Sequence, residues 1–142
     1  MPSTETFRTP KHRRHVPAAR QRVRAALAGW GVTDELADSV TLLVSELVTN
    51  AVLHCRLSCA QVRVTLILDG PELVLEVSDP DRDRLPQPHH STPDEEGGRG
   101  LALVAALSDA WGWRQEPYTK CVWARFRLAE SAEESRAVPA GA

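Results

Sequence analysis

Two polar side chains, one helical turn apart, are the first residues whose types and spacing could do chemistry. Glu46 and Asn50 lie in the stretch from Val40 to His54, where apolar residues recur with the period of a helix. They are separated by about 40° around the helix axis, so both fall at the edge of the apolar stripe, with His54 beside it. A carboxylate and a carboxamide in this arrangement can hold hydrated Mg²⁺ through oxygen atoms. The other interpretation is an ordinary core helix with a polar edge.

A strand end and a glycine-rich turn supply further residues that could bind a ligand. Asp79 follows an alternating stretch at 72–78, where it could accept a hydrogen bond from the exocyclic amine of adenine or simply form a turn before proline. Three glycines, Gly97, Gly98 and Gly100, precede an apolar stretch that is predicted to be a helix. Glycines at a helix start let backbone N–H groups approach a phosphate, although they also serve plain turns.

The elements that must position these residues follow from the apolar periodicity. Three stretches with the period of a helix are predicted to be helical: 18–28, 34–55 and 101–110. Four alternating stretches are predicted to pair as two antiparallel hairpins: 61–68 with 72–78, and 111–115 with 120–128. A short edge strand is predicted around 6–8. These elements indicate a two-layer α+β sandwich, with a mostly antiparallel sheet and the helices on one face.

Composition and length indicate a single globular domain of 142 residues, 42% hydrophobic and 25% charged. No apolar run approaches the ~20 residues of a membrane span, and no secretory signal is visible, so we predict a cytoplasmic protein without a membrane partner. The first 30 residues carry seven basic side chains against Glu5 alone, but no aromatic residues interleave with them, which argues against nucleic-acid binding. We predict a flexible basic N-terminus at 1–15, a folded domain at 16–128 and a disordered tail at 129–142.

A long segment from 80 to 96 separates the two predicted hairpins. It contains four prolines and shows no periodicity, so we predict a loop. Loops of this length inside a compact domain are usually functional or disordered, and this one runs directly into the glycine-rich turn. It could therefore act as a lid over bound phosphates.

With these motifs in place, the chain resembles the GHKL ATPase superfamily, which includes gyrase, Hsp90, histidine kinases and MutL. Within it, the chain is similar to the small single-domain anti-sigma-factor serine/threonine kinases. The resemblance covers about 15–128, and its most specific motif is ELVTNAVLH at 46–54, which matches the E-x-x-x-N-A-x-x-H spacing of the N box. VSDP at 77–80 is similar to the start of the first glycine box, and EGGRGLALV at 96–104 to the second.

The resemblance implies a Bergerat-type ATP-binding fold and a kinase that uses ATP and Mg²⁺. It implies that Glu46 is the general base, that Asn50 is the Mg²⁺ ligand and that Asp79 recognises adenine. Arg99 would stabilise charge in the transition state of phosphoryl transfer. Other implied nucleotide contacts are His54, Gly97, Gly98, Gly100 and Leu101. The implied partners are a sigma factor and an anti-sigma-factor antagonist that is phosphorylated on Ser or Thr, and a homodimer is also implied.

The sequence departs from the family pattern at two places. The first glycine box should read D-x-G-x-G, but 79–83 reads DPDRD and has neither glycine. In the last strand, Cys121 stands about where the family often has a threonine near the base. A second function therefore stays open: a nucleotide-binding or partner-binding module that has lost phosphoryl transfer. A nucleic-acid-binding protein ranks last, because no aromatic or helix-turn-helix signature accompanies the basic segment.

Overall fold

A five-stranded antiparallel sheet with three helices on one face forms the part of the chain that the computed structural model describes, residues 2–55, 61–81 and 100–128. The predicted α+β architecture is therefore confirmed. The strands run in the spatial order β1-β2-β3-β5-β4. Their bounds are β1 Ser3–Pro10, β2 Gln61–Asp69, β3 Glu72–Asp79, β4 Ala110–Gln115 and β5 Lys120–Arg127. The helices are α1 Val16–Gly29, α2 Asp34–His54 and α3 Gly100–Leu107, and a short 3-10 turn at Arg13–His15 precedes α1.

The central hairpin of β2 and β3 forms because its side chains alternate between the two sheet faces. Val64 and Leu66 are fully buried on one face, and Leu75 faces them from the neighbouring strand. Gly70 has a φ of 60°, which the tight turn between the strands requires and which glycine adopts without steric cost. Both predicted hairpins are present, and β5 also pairs with β3 along its whole length.

The N-terminus corrects the predicted flexible segment at 1–15, because eight of its residues form the edge strand β1. This strand is longer than the predicted one around 6–8 and pairs with β2 from Ser3 to Pro10. Phe7 supplies the driving force, since its ring is 6% exposed and belongs to the core. The guanidinium of Arg22 lies 4.6 Å from the centre of that ring and 2.9 Å from a carboxylate oxygen of Glu5. The folded domain therefore begins at β1.

Helix α2 is the centre of the core. Its apolar stripe, including the fully buried Val40, Leu43 and Val44, packs over β2 and β3. The stretch Asp34–Leu53 has 20 residues, and by length and composition alone it could cross a membrane. This corrects the prediction that no apolar run approaches that length. In the fold, this stretch lies between α1 and α3, and its apolar stripe faces the sheet.

The helices lie side by side across the sheet. Helix α1 packs against α2 and β1, where Arg20 Nη1 donates a hydrogen bond to Ser45 Oγ at 3.1 Å. Helix α3 packs against α2 and β4. The three helices therefore follow the order α1-α2-α3 from the β1 edge of the sheet to the β4 edge.

Gly112 packs tightly against the indole of Trp123 on the sheet face away from the helices, and this contact leads to a stability prediction. Gly112 pairs with Trp123 across β4 and β5, and a Cβ atom added there would lie 2.6 Å from Cζ2 of the indole. We expect Gly112→Ala to lower the free energy of unfolding by about 1–3 kcal/mol, because the indole must move away. Urea denaturation measures this, with Gly29→Ala as the control, since a Cβ at Gly29 meets nothing within 4 Å. Equal stability of the two variants would contradict the prediction.

Candidate functional site

The polar edge of α2 turns toward α3. Glu46 and Asn50 are both half-buried, and they lie on the side of the apolar stripe opposite Ser45, which bonds to α1. Because α3 packs on the other flank of α2, Glu46 and Asn50 line the boundary between α2 and α3. The predicted stacking of these two residues on one helix edge is present.

Asn50 carries an unsatisfied buried acceptor. Its Oδ1 has no hydrogen-bond partner within the described residues and is out of contact with solvent. A buried acceptor left in this state costs about 1–3 kcal/mol, so native proteins rarely retain one without a use. Glu46 likewise makes no hydrogen bond or ion pair with any described residue. An amide oxygen that needs a partner suits a Mg²⁺ ligand, and a free carboxylate suits a proton acceptor.

Asp79 lies at the end of β3 and continues its core face two residues after Val77. It is 6% exposed. Its Oδ1 accepts a hydrogen bond from the backbone N–H of Asp81 at 2.8 Å, and its Oδ2 lies 3.7 Å from Nζ of Lys120. Burial raises the pKa of the Asp79 carboxyl above 3.8, and this effect outweighs the opposing attraction of Lys120.

Lys120 is the site residue that sequence reasoning missed. The pairing of β3 with β5 places Lys120 directly opposite Asp79, and Cys121 opposite Ser78. Alternation therefore puts Lys120 on the helix-covered face and Cys121 on the opposite one, so Lys120, not Cys121, occupies the position beside Asp79. The buried residues Val122, Ala124 and Phe126 share the face of Lys120, and this inward alternation was the signal in the sequence.

The topology brings the α2 pair and the strand pair to the same region. Asp79 is on β3 and Lys120 on β5, while α2 covers β2 and β3, and α3 packs against β4. The two strand residues therefore lie beneath the boundary between α2 and α3, which Glu46 and Asn50 line from above. The helix edge and the strand pair therefore lie on the same, helix-covered side of the sheet, near this boundary.

For the other predicted nucleotide contacts, the structure gives the place in the chain of some residues and does not describe the rest. His54 is the last residue of α2, and Gly100 and Leu101 are the first residues of α3, as the predicted helix start requires. Gly97, Gly98 and Arg99 lie outside the described residues. So do most of the predicted lid and the tail at 129–142.

The pattern of a known family covers most of this chain. The family described as the histidine kinase-like ATPase domain matches residues 9–126. The chain belongs to this family. Membership implies ATP binding, and it places the boundary between α2 and α3 in an ATPase domain.

Solved structures show how widely the fold of this histidine kinase-like ATPase domain recurs. The RsbU and RsbW domains of Rv1364c from Mycobacterium tuberculosis match with a TM-score of 0.68 at 19% identity, over 89% of this chain and 32% of that one. A histidine kinase domain from a blue-light-activated histidine kinase of Erythrobacter litoralis matches with a TM-score of 0.55 at 20% identity, over 83% of this chain and 63% of that one. These likenesses show the fold. No curated protein sequence matches the chain.

The buried carboxyl of Asp79 leads us to predict an unusual dependence of stability on pH. The folded-state pKa of Asp79 is raised, so folding favours the protonated form. This group therefore adds stability below its ordinary pKa of 3.8, and the contribution is lost as pH rises through the raised value. We expect the difference in unfolding free energy between the wild type and Asp79→Asn to fall with rising pH in that window. Urea denaturation between about pH 3 and about pH 7 measures this difference.

The control for this pH dependence is Asp69→Asn, at an exposed carboxylate on the last residue of β2. Its difference from the wild type should not fall in the same way. A wild-type-minus-Asp79→Asn difference that rose with pH would show that pairing with Lys120 outweighs burial, contrary to the prediction.

Proposed function

We propose that this chain is an ATP-binding regulatory protein kinase of the anti-sigma-factor type. It transfers the γ-phosphate of ATP to Ser or Thr of a protein antagonist, binds a sigma factor and acts in the cytoplasm. The observation that carries the proposal is Oδ1 of Asn50, which no described residue satisfies, in the motif that matches the N box. Glu46, one turn earlier, pairs with no described residue either. Family membership and the likeness to an RsbW domain support the same reading.

The proposed chemistry divides between the two residues of the α2 edge. Asn50 would hold Mg²⁺ through Oδ1, and the ion when bound neutralises charge on the phosphates. Glu46 would accept the proton of the attacking Ser or Thr hydroxyl, since its carboxylate has no described partner to compete for that proton. The backbone of Gly97, Gly98 and Gly100 would cradle the phosphates, and Arg99 would stabilise the charge that develops during transfer.

The proposed partners rest on the resemblance to anti-sigma-factor kinases. A sigma factor and its antagonist would dock on this domain, and a second copy of the chain would pair with it through the sheet or the N-terminal region. Strand β1 supports the latter, since its outer edge lies at the end of the sheet in the described structure.

A second candidate is a binding module on the same fold without phosphoryl transfer. Two observations favour it. Asp81 stands where the first glycine box has a glycine, and it is 4% exposed, so a second carboxyl is buried beside Asp79. Asp79 itself already has Lys120 as a partner. Such a module would bind nucleotide or a partner protein and leave the γ-phosphate in place.

A transfer assay separates the two candidates. The purified full chain is mixed with Mg²⁺·ATP and, one at a time, with the anti-sigma-factor antagonist proteins encoded in its genome. Mass spectrometry then measures phosphoserine and phosphothreonine on the antagonist. The kinase proposal expects transfer to at least one antagonist. ATP binding without transfer to any of them would establish the binding module instead.

A further inference from the structure

The pair formed by Asp79 and Lys120 offers one donor and one acceptor side by side. The two residues are directly opposed in the pairing of β3 with β5. Their side chains are 8% and 10% exposed, so both groups are largely removed from water. Nζ of Lys120 lies 3.7 Å from Oδ2 of Asp79, which is longer than a normal hydrogen bond. The two atoms are thus neighbours, an ammonium donor beside a carboxylate acceptor.

One oxygen on the acceptor side of this pair is held by a backbone N–H. Oδ1 of Asp79 already accepts the backbone N–H of Asp81 at 2.8 Å, an interaction that fixes the orientation of the carboxylate. Oδ2 remains as the acceptor beside the ammonium group of Lys120. The ammonium can donate three hydrogen bonds and accept none.

We propose that Lys120 determines base specificity, its Nζ donating a hydrogen bond to N1 of adenine while Oδ2 of Asp79 accepts one from the neighbouring N6 amine. This inference rests on the proposed ATP-binding function and adds to it a direct protein contact to N1. An adjacent donor and acceptor on the protein complement an adjacent acceptor and donor on the base. Because the donor is charged and buried, the contact is among the stronger hydrogen bonds.

The same pair disfavours guanine. In the adenine orientation, O6 of guanine would face the carboxylate and its N1–H would face the ammonium, so both contacts would be repulsive.

The test is a thermodynamic cycle between the protein and the ligand. Calorimetry measures the affinity of ATP and of 1-deaza-ATP, in which a C–H replaces N1, for the wild type and for Lys120→Met. Methionine keeps an unbranched apolar side chain and removes the donor. We expect the wild type to bind ATP about tenfold or more tightly than 1-deaza-ATP. For Lys120→Met the two affinities should be nearly equal, and GTP should bind the wild type more weakly than ATP.

The comparison of ATP with 1-deaza-ATP in the wild type does not depend on the folding of any variant. If the wild type binds ATP and 1-deaza-ATP equally well, Lys120 does not contact N1 and the inference is overturned while the ATP-binding proposal stands. An equal preference for ATP in the wild type and in Lys120→Met overturns it in the same way. If the wild type binds no ATP at all, the proposed function fails, and this inference fails with it.

Discussion

Replacing Asn50 with alanine is expected to lower the affinity for Mg²⁺·ATP by about 10- to 100-fold, the usual cost of disturbing a metal site. The same change should not lower the stability of the ligand-free protein. The buried Oδ1 has no partner in the described structure, so its removal relieves a cost of about 1–3 kcal/mol instead of breaking a bond. A residue retained for packing alone would not show loss of affinity together with unchanged or raised stability.

This prediction is measured with a fluorescent ATP analogue, titrated with and without Mg²⁺, and with thermal unfolding of the ligand-free protein. Gln21→Ala is the matched control, because it removes an exposed carboxamide from α1. Wild type and Gln21→Ala should gain affinity when Mg²⁺ is added, and Asn50→Ala should not. A variant that kept the Mg²⁺-dependent gain would exclude Asn50 as the metal ligand.

Replacing Glu46 with glutamine is expected to lower the rate of phosphoryl transfer by about 100- to 10,000-fold, the range for loss of a general base. The affinity for ATP should stay nearly unchanged. Glutamine keeps the size and hydrogen-bonding shape of the side chain but cannot accept the hydroxyl proton. Glu46 is half-buried and lies one turn from Asn50. Because Asn50 and not Glu46 is the proposed Mg²⁺ ligand, we expect the substitution to slow phosphoryl transfer and to leave nucleotide binding nearly unchanged.

Transfer to a responsive antagonist is measured under single-turnover conditions, so that product release does not mask the chemical step. Glu35→Gln is the control, because Glu35 is an exposed carboxylate in the first turn of the same helix. Its rate should equal that of the wild type. If Glu46→Gln transferred phosphate as fast as Glu35→Gln, another group would have to be the base.

The elements that could be predicted from the sequence are those with a strong local pattern. The alternation in β2 and β3, interrupted by a turn at Gly70, determined both the hairpin and its register. Strand β1 was predicted too short, because most of its residues are polar and its pairing partner lies far along the chain. Only the burial of Phe7 against the core reveals why the whole strand is ordered.

The site, like the fold, could be predicted where the pattern is local and not where it depends on strand pairing. Glu46 and Asn50 follow from the helical period alone, which needs no knowledge of the rest of the fold. The role of Lys120 depends on which strand pairs with β3 and in which register, so it required the sheet. A lysine on the buried face is unusual, and its ion pair with Asp79 helps to account for it.

The most direct test of this account is calorimetric titration of Mg²⁺·ATP into the full chain, beside Asp79→Ala and its control Asp69→Ala. Asp69 is an exposed carboxylate at the end of β2, so its loss removes a charge without reaching the site. We expect binding to one site at micromolar concentration in the wild type and in Asp69→Ala, and its loss in Asp79→Ala. If the wild type showed no binding even at millimolar ATP, the boundary between α2 and α3 would not be a nucleotide site.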